Sequence, residues 1–164
     1  MSLLPIKPED IRWARLNHAK ALEWSLRLHA NDKDRGGNRY QDHLLYVAEQ
    51  MRDSVVGIIL ALFHDSIEHQ HVTAEELLAA GFPLPIVQRI VLLTRRDTQE
   101  YEDYIRAVGE DFYTRRVKMA DLNHNLQLGR LKKWSDKLLP LIHKYMASLQ
   151  ILREMDRAAQ ESHA

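Results

Sequence analysis

Residues 55–63 read VVGIILALF. A helix this apolar has no polar face to give to water, so it must be covered on every side by other elements. Its β-branched content also suits a buried strand, but Gly57, Ala61 and a segment longer than ten residues from Asp53 onward favour helix. The chain then continues at once as HDSIEHQH, which sets three histidines and two acids directly behind its most apolar segment. A central helix that runs into titratable chemistry constrains everything packed around it.

The flanking segments repeat at helical spacing. Pro8, with Glu9 and Asp10, suits a helix start, and Ile11, Ala14, Leu22 and Leu26 carry that helix to about Ala30. The polar stretch NDKDRGGNR over 31–39 predicts a loop presenting Arg35 and Arg39, and a second helix follows from Tyr40 to Met51. Asp53 is the expected cap of the central helix. Thr73 and Glu76 form a capping box for a short helix ending at Gly81, and Pro83 opens another. Asp97 and Glu100 repeat the capping spacing before Tyr101. Helices are expected over 111–132 and 137–157, the last with an apolar stripe from Leu138 to Met155 that reads as core packing. Six to eight helices without a convincing alternating strand predict an all-α bundle, one domain over 1–164.

At 164 residues the chain can bury about 70% of its extended surface, enough for one core without staples. Its 23 basic and 23 acidic side chains balance, so no long-range field favours a nucleic-acid polymer or an anionic membrane. The absence of cysteine excludes disulfides, thiolate zinc sites and a cysteine nucleophile. No apolar run approaches the roughly 20 residues that span a bilayer, and the N-terminus lacks the pattern of a signal peptide. The expectation is a soluble cytoplasmic protein, monomer or homodimer, whose partner is a small nucleotide or phosphorylated metabolite.

The chemistry gathers at a few positions. His64 and Glu68 stand four apart, and Asp65 faces Glu68 and His69 at three and four apart. In RRVKMADLNHNLQLGRL, Asp121 and Asn125 stand four apart, with Lys118 and His124 three residues to either side of Asp121. Asp121 interrupts an apolar face, where a carboxylate is costly unless paired, hydrogen-bonded or metal-bound. His43 lies near the start of the second helix. His43, His64, Asp65 and Asp121 together offer two imidazoles and two carboxylates, a mixed set suited to a borderline divalent ion. Isolated histidines at 18, 29, 71, 143 and 163 read as surface or structural groups.

At His43, His64–Asp65 and Asp121 the chain resembles the HD superfamily of metal-dependent phosphohydrolases. YQDHLLYVAEQM, ALFHDSIEH, TAEELLAAGFP, VLLTRR, YEDYI and VKMADLNHNLQLGRL extend the likeness over most of 16–132, with the C-terminal helix packed on that core. These segments are similar to small bacterial members akin to the hydrolase domain of stringent-response alarmone enzymes. The resemblance implies one divalent ion on His43, His64, Asp65 and Asp121, with manganese expected and iron, zinc, cobalt or nickel compatible. It implies a guanosine 3′,5′-bis(diphosphate) 3′-pyrophosphohydrolase-like activity, with Glu68 and His69 in the positions that activate water and protonate the leaving group. Glu68 fits that pattern, whereas His69 stands where the family commonly has an aspartate. By the same resemblance Arg35, Lys118 and Asn125 are substrate-binding positions, and Tyr40 is either a wall or a ligand contact. Asp34 occupies one of two loop positions that are commonly basic. His69 and Asp34 together leave open a nucleotide-binding or regulatory protein with weak or no turnover.

Overall fold

The computed structural model describes residues 2–131, 136 and 138–162. Among these, eight α-helices follow one another: α1 (Pro8–Leu28), α2 (Tyr40–Glu49), α3 (Val55–Phe63), α4 (Ala74–Ala79), α5 (Leu84–Leu93), α6 (Tyr101–Glu110), α7 (Phe112–Asn125) and α8 (Leu138–Glu161). The described residues form no β-strand beyond an isolated bridge between Lys33 and Arg39. No described helix is long and apolar enough to cross a membrane. The expected helix ends at 132 and 137, and His163, lie outside the described residues.

The all-round apolar helix takes the central place. α3 packs against α1, α2, α5 and α7, and Ile59, Leu60, Ala61, Leu62 and Phe63 are all buried. An aromatic cluster packs at its C-terminal end, with Phe63 5.1 Å from Phe82 and 5.5 Å from Trp24 between ring centroids. α6 and α7 form the layer onto which α8 folds, bringing Leu149 and Leu152 into the core. Met146, on the expected stripe, is 57% exposed, so the stripe is buried only along its C-terminal part.

Local signals explain the helix starts. The Thr73–Glu76 capping box forms as expected. α3 is capped by Ser54, whose hydroxyl accepts from the Gly57 amide, in place of the expected Asp53. Asp53 pairs instead with Arg116 of α7 at 2.8 Å. Asp97 likewise does not cap α6, whose N-cap is Glu100 without a side-chain bond. Asp111 caps α7 by accepting from the amides of Tyr113 and Thr114. α7 stops at Asn125, short of the expected 132, and the chain turns through a single 3-10 segment at Leu128–Arg130.

Candidate metal centre

Three helices bring the predicted ligands to one buried point. α2 supplies His43 from its first turn, α7 supplies Asp121, and α3 delivers His64 and Asp65 at its C-terminal end. Ser25 of α1 donates its hydroxyl to the Leu62 carbonyl at 2.5 Å, and Ser66 donates to the Phe63 carbonyl at 2.7 Å. These hydroxyls satisfy carbonyls that a longer helix would have bonded itself. The chain can therefore leave the helix here, and the adjacent side chains of His64 and Asp65 both reach inward.

Hydrogen-bond partners fix the histidine tautomers. A guanidinium only donates, and Nη1 of Arg130 lies 2.9 Å from Nδ1 of His124, so that nitrogen is an acceptor. Nδ1 of His43 lies 2.7 Å from the same atom and so carries the hydrogen, leaving Nε2 of His43 with a lone pair. His64 is set in the same sense, because its Nδ1 donates to the Ala61 carbonyl at 2.7 Å. The two Nε2 atoms stand 3.2 Å apart. Asp121 Oδ1 is 3.4 Å from His43 Nε2 and 4.0 Å from His64 Nε2. Asp65 Oδ2 is 2.9 Å from His64 Nε2 and 3.6 Å from His43 Nε2.

Lone pairs and carboxylates facing one another out of water are costly unless a cation or a proton sits among them. An ion with bonds of about 2.1 Å holds neighbouring ligands roughly 3.0–3.4 Å apart, close to the spacing found here. His43, His64 and Asp121 each place one ligand atom within 4.8 Å of the others, and Asp65 joins them through both imidazoles. The donor set thus fits a divalent ion. Burial disfavours charge on His64, but Asp65 and Asp121 outweigh it and raise its pKa to about 9. In the absence of a divalent ion, the centre retains a proton.

A second ring of groups holds the ligands. Burial also opposes charge on Asp121, yet Lys118 and His64 overcome it and keep its pKa below the usual carboxylate range. Lys118 donates to Asp121 at 2.7 Å and Asn125 donates to it at 2.5 Å. Tyr40 donates its hydroxyl to Asp65. Burial, and then the negative charge of Asp65, push that phenol above its ordinary pKa, so it remains a donor.

Lys118 and Asn125, predicted for substrate, thus meet Asp121 directly. Asn125 and Arg35 also line a cleft with Asp34, Arg130 and Tyr145. The Arg35 guanidinium lies 5.8 Å from the Tyr145 ring centroid. Glu68 is exposed, and its charge acts on Tyr40 and Tyr104 beside the centre. His69 is also exposed and turns its Nδ1 to Asp32, 3.3 Å away.

Several groups here had no sequence signal. Asp34, in a loop position expected to be basic, accepts from Arg130, which brings a cation to the cleft from a distant segment. A Cβ at Gly36 would fall 2.4 Å from the Arg130 carbonyl oxygen, so only glycine allows that loop to close on it. Lys144 has its pKa lowered by burial and then by the neighbouring cations Arg95, Arg35 and Lys118. Positive charge is therefore concentrated around Lys144.

No protein-family profile matches the sequence, and no curated protein sequence matches it. Among solved structures the chain is similar to a metazoan ortholog of SpoT, described as hydrolysing ppGpp and playing a role in starvation responses, with a TM-score of 0.63. The two are 15% identical, and the match covers 95% of this chain and 98% of that one. The chain therefore shares the all-α fold of that protein.

Proposed function

We propose that the protein is a metal-dependent phosphohydrolase acting on a nucleotide pyrophosphate, with a guanosine 3′,5′-bis(diphosphate) 3′-pyrophosphohydrolase-like activity as the specific reading. The observation that carries it is the pair of Nε2 atoms of His43 and His64, 3.2 Å apart beside Asp65 and Asp121. The cationic surroundings of Lys144, and the likeness in fold to a chain described as hydrolysing ppGpp, support the substrate class.

A divalent ion, manganese in this reading, lowers the pKa of water and draws charge from a phosphoryl oxygen when bound. The chain's own groups supply the rest. Glu68 takes a proton from the attacking water, and His69 beside it hands a proton to the leaving group. Arg35 and Lys144 neutralise the outer phosphate, with Lys118 adding charge from beside Asp121. Asn125 meets the nucleoside from the wall it shares with Arg35. Tyr40 keeps Asp65 ionised and aimed inward.

A second reading is nucleotide binding with weak or no turnover, favoured by the engagement of His69 with Asp32. Manganese-loaded protein should release pyrophosphate from guanosine tetraphosphate and not from deoxynucleotides or monophosphates. Calorimetric binding of the tetraphosphate without product would favour the second reading, and a gain of activity in His69→Asp would trace the loss to that position. Neither binding nor turnover with any of these nucleotides would contradict both.

A further inference from the structure

Outside the buried centre, a second group of ligand-type side chains converges. His29 follows α1, Asp32 lies in the loop beyond it, and His69 and His71 follow α3; each offers one ligand atom within 4.8 Å of every other. Their geometry is centred on one oxygen. Oδ2 of Asp32 lies 2.6 Å from Nε2 of His71, 2.8 Å from Nδ1 of His29 and 3.3 Å from Nδ1 of His69.

Hydrogen bonding alone accounts poorly for this. A carboxylate oxygen offers about two lone-pair directions, fewer than the imidazoles crowded against it. His29 is fully buried and its Nε2 has no hydrogen-bond partner among the described residues. A buried imidazole held at one nitrogen only is costly unless that single engagement is strong, and a coordinate bond through Nδ1 is stronger than a shared hydrogen bond. Two further features set the rings. Gln70 has φ 59°, and this left-handed residue reverses the chain so that His69 and His71 both face Asp32. Tyr40 stacks on His29 with centroids 5.2 Å apart and planes 22° from parallel.

We propose that His29, Asp32, His69 and His71 form a second divalent-cation site, separate from the buried centre and suited to zinc. Three imidazoles and one carboxylate make a closed four-ligand set with no position left for substrate, the pattern of a structural site. Neighbouring ligands of a tetrahedral zinc stand roughly 3.3–3.4 Å apart, so only small movements of these side chains are needed to admit the ion. The bound ion ties the loop that carries Arg35 to the turn that carries Glu68. His69 becomes a ligand through Nδ1, and its Nε2–H can then donate a hydrogen bond to the leaving group but not pass it a proton, so filling this site favours the reading of binding with weak or no turnover.

The test is metal stoichiometry after dialysis against zinc, with cobalt as a spectroscopic substitute. Wild-type protein should hold two zinc ions per chain, and Asp32→Asn and His71→Gln one each. Asp121→Ala, which disables the buried centre, should keep one ion and show the intense visible absorption of tetrahedral cobalt. That band should vanish in the double variant Asp121→Ala/His71→Gln. Zinc should also raise the melting temperature of Asp121→Ala and leave that of the double variant unchanged, a readout that compares two folded proteins. A single ion in wild type that Asp121→Ala removes, a cobalt band that survives in the double variant, or zinc binding only at millimolar concentration would overturn the proposal. Because Asp121→Ala reads this site without the other, the result is independent of whether the buried centre hydrolyses a nucleotide.

Discussion

His124 reaches the buried centre only through another side chain. Its Nδ1 accepts from both His43 and Arg130, and burial, then the electrostatic influence of His43 and Arg130, lowers its pKa to about 4, so it stays a neutral acceptor. Its task is to keep the lone pair of His43 on Nε2. Replacing such an outer partner typically costs about 10–100-fold in metal affinity. His124→Phe should therefore weaken manganese binding by about that factor with the helices intact, as titration calorimetry and circular dichroism would show; unchanged affinity would remove His124 from the site. At this scale the sequence was informative where chemistry broke a pattern: Asp121 stands out because it interrupts an apolar face. His124 and Arg130 do not, since each is one polar residue among several, and their roles arise from contacts to His43 and Asp34 far away in the chain. The histidines at 29 and 71 were isolated in sequence for the same reason, and only the folded loops bring them to Asp32.

The elements were legible where the hydrophobic period was strong. α3 was identifiable because its residues are apolar all round, and α4 because its capping box is local. The junctions were less so. Asp53 and Ser54 are both good capping types, and the choice fell to Ser54 because Arg116 of α7 holds Asp53 outward. The early stop of α7 has a similar cause, since Arg130 turns away to meet Asp34 and His124. Two substitutions separate the roles at the α3 start. Ser54→Ala should cost about 1 kcal/mol in urea unfolding at any pH, the usual worth of an N-cap. Asp53→Asn should cost less, because the pair with Arg116 is exposed. The Arg116 hydrogen bond, more than any other cause, holds the Asp53 pKa below its ordinary value of 3.8. Its contribution is therefore present above that value and disappears as pH falls through the lower folded value. A penalty for Asp53→Asn that persisted unchanged in strong acid would contradict this.

At the scale of the molecule, the candidate metal centre draws on α2, the end of α3 and α7, so an ion held there would bridge the elements around which the bundle is built. Binding to the folded chain alone stabilises it by about 2.7 kcal/mol at a hundredfold excess over the dissociation constant. For a chain of this size that is roughly 5–10 °C in melting temperature. Manganese should produce such a rise in wild type and little in Asp121→Ala. The bundle itself was readable from periodicity, and α8 was the exception: its stripe is continuous in sequence, yet Met146 is exposed because the helix meets its neighbours closely only around Leu149 and Leu152. The most direct test of the account is the metal content of wild type, Glu68→Gln and Asp121→Ala after identical loading and dialysis. In the proposed reading Asp121 is a ligand and Glu68 acts on water, so Glu68→Gln should match wild type while losing turnover, and Asp121→Ala should hold one ion fewer per chain. Equal metal content in all three proteins would contradict the centre described here.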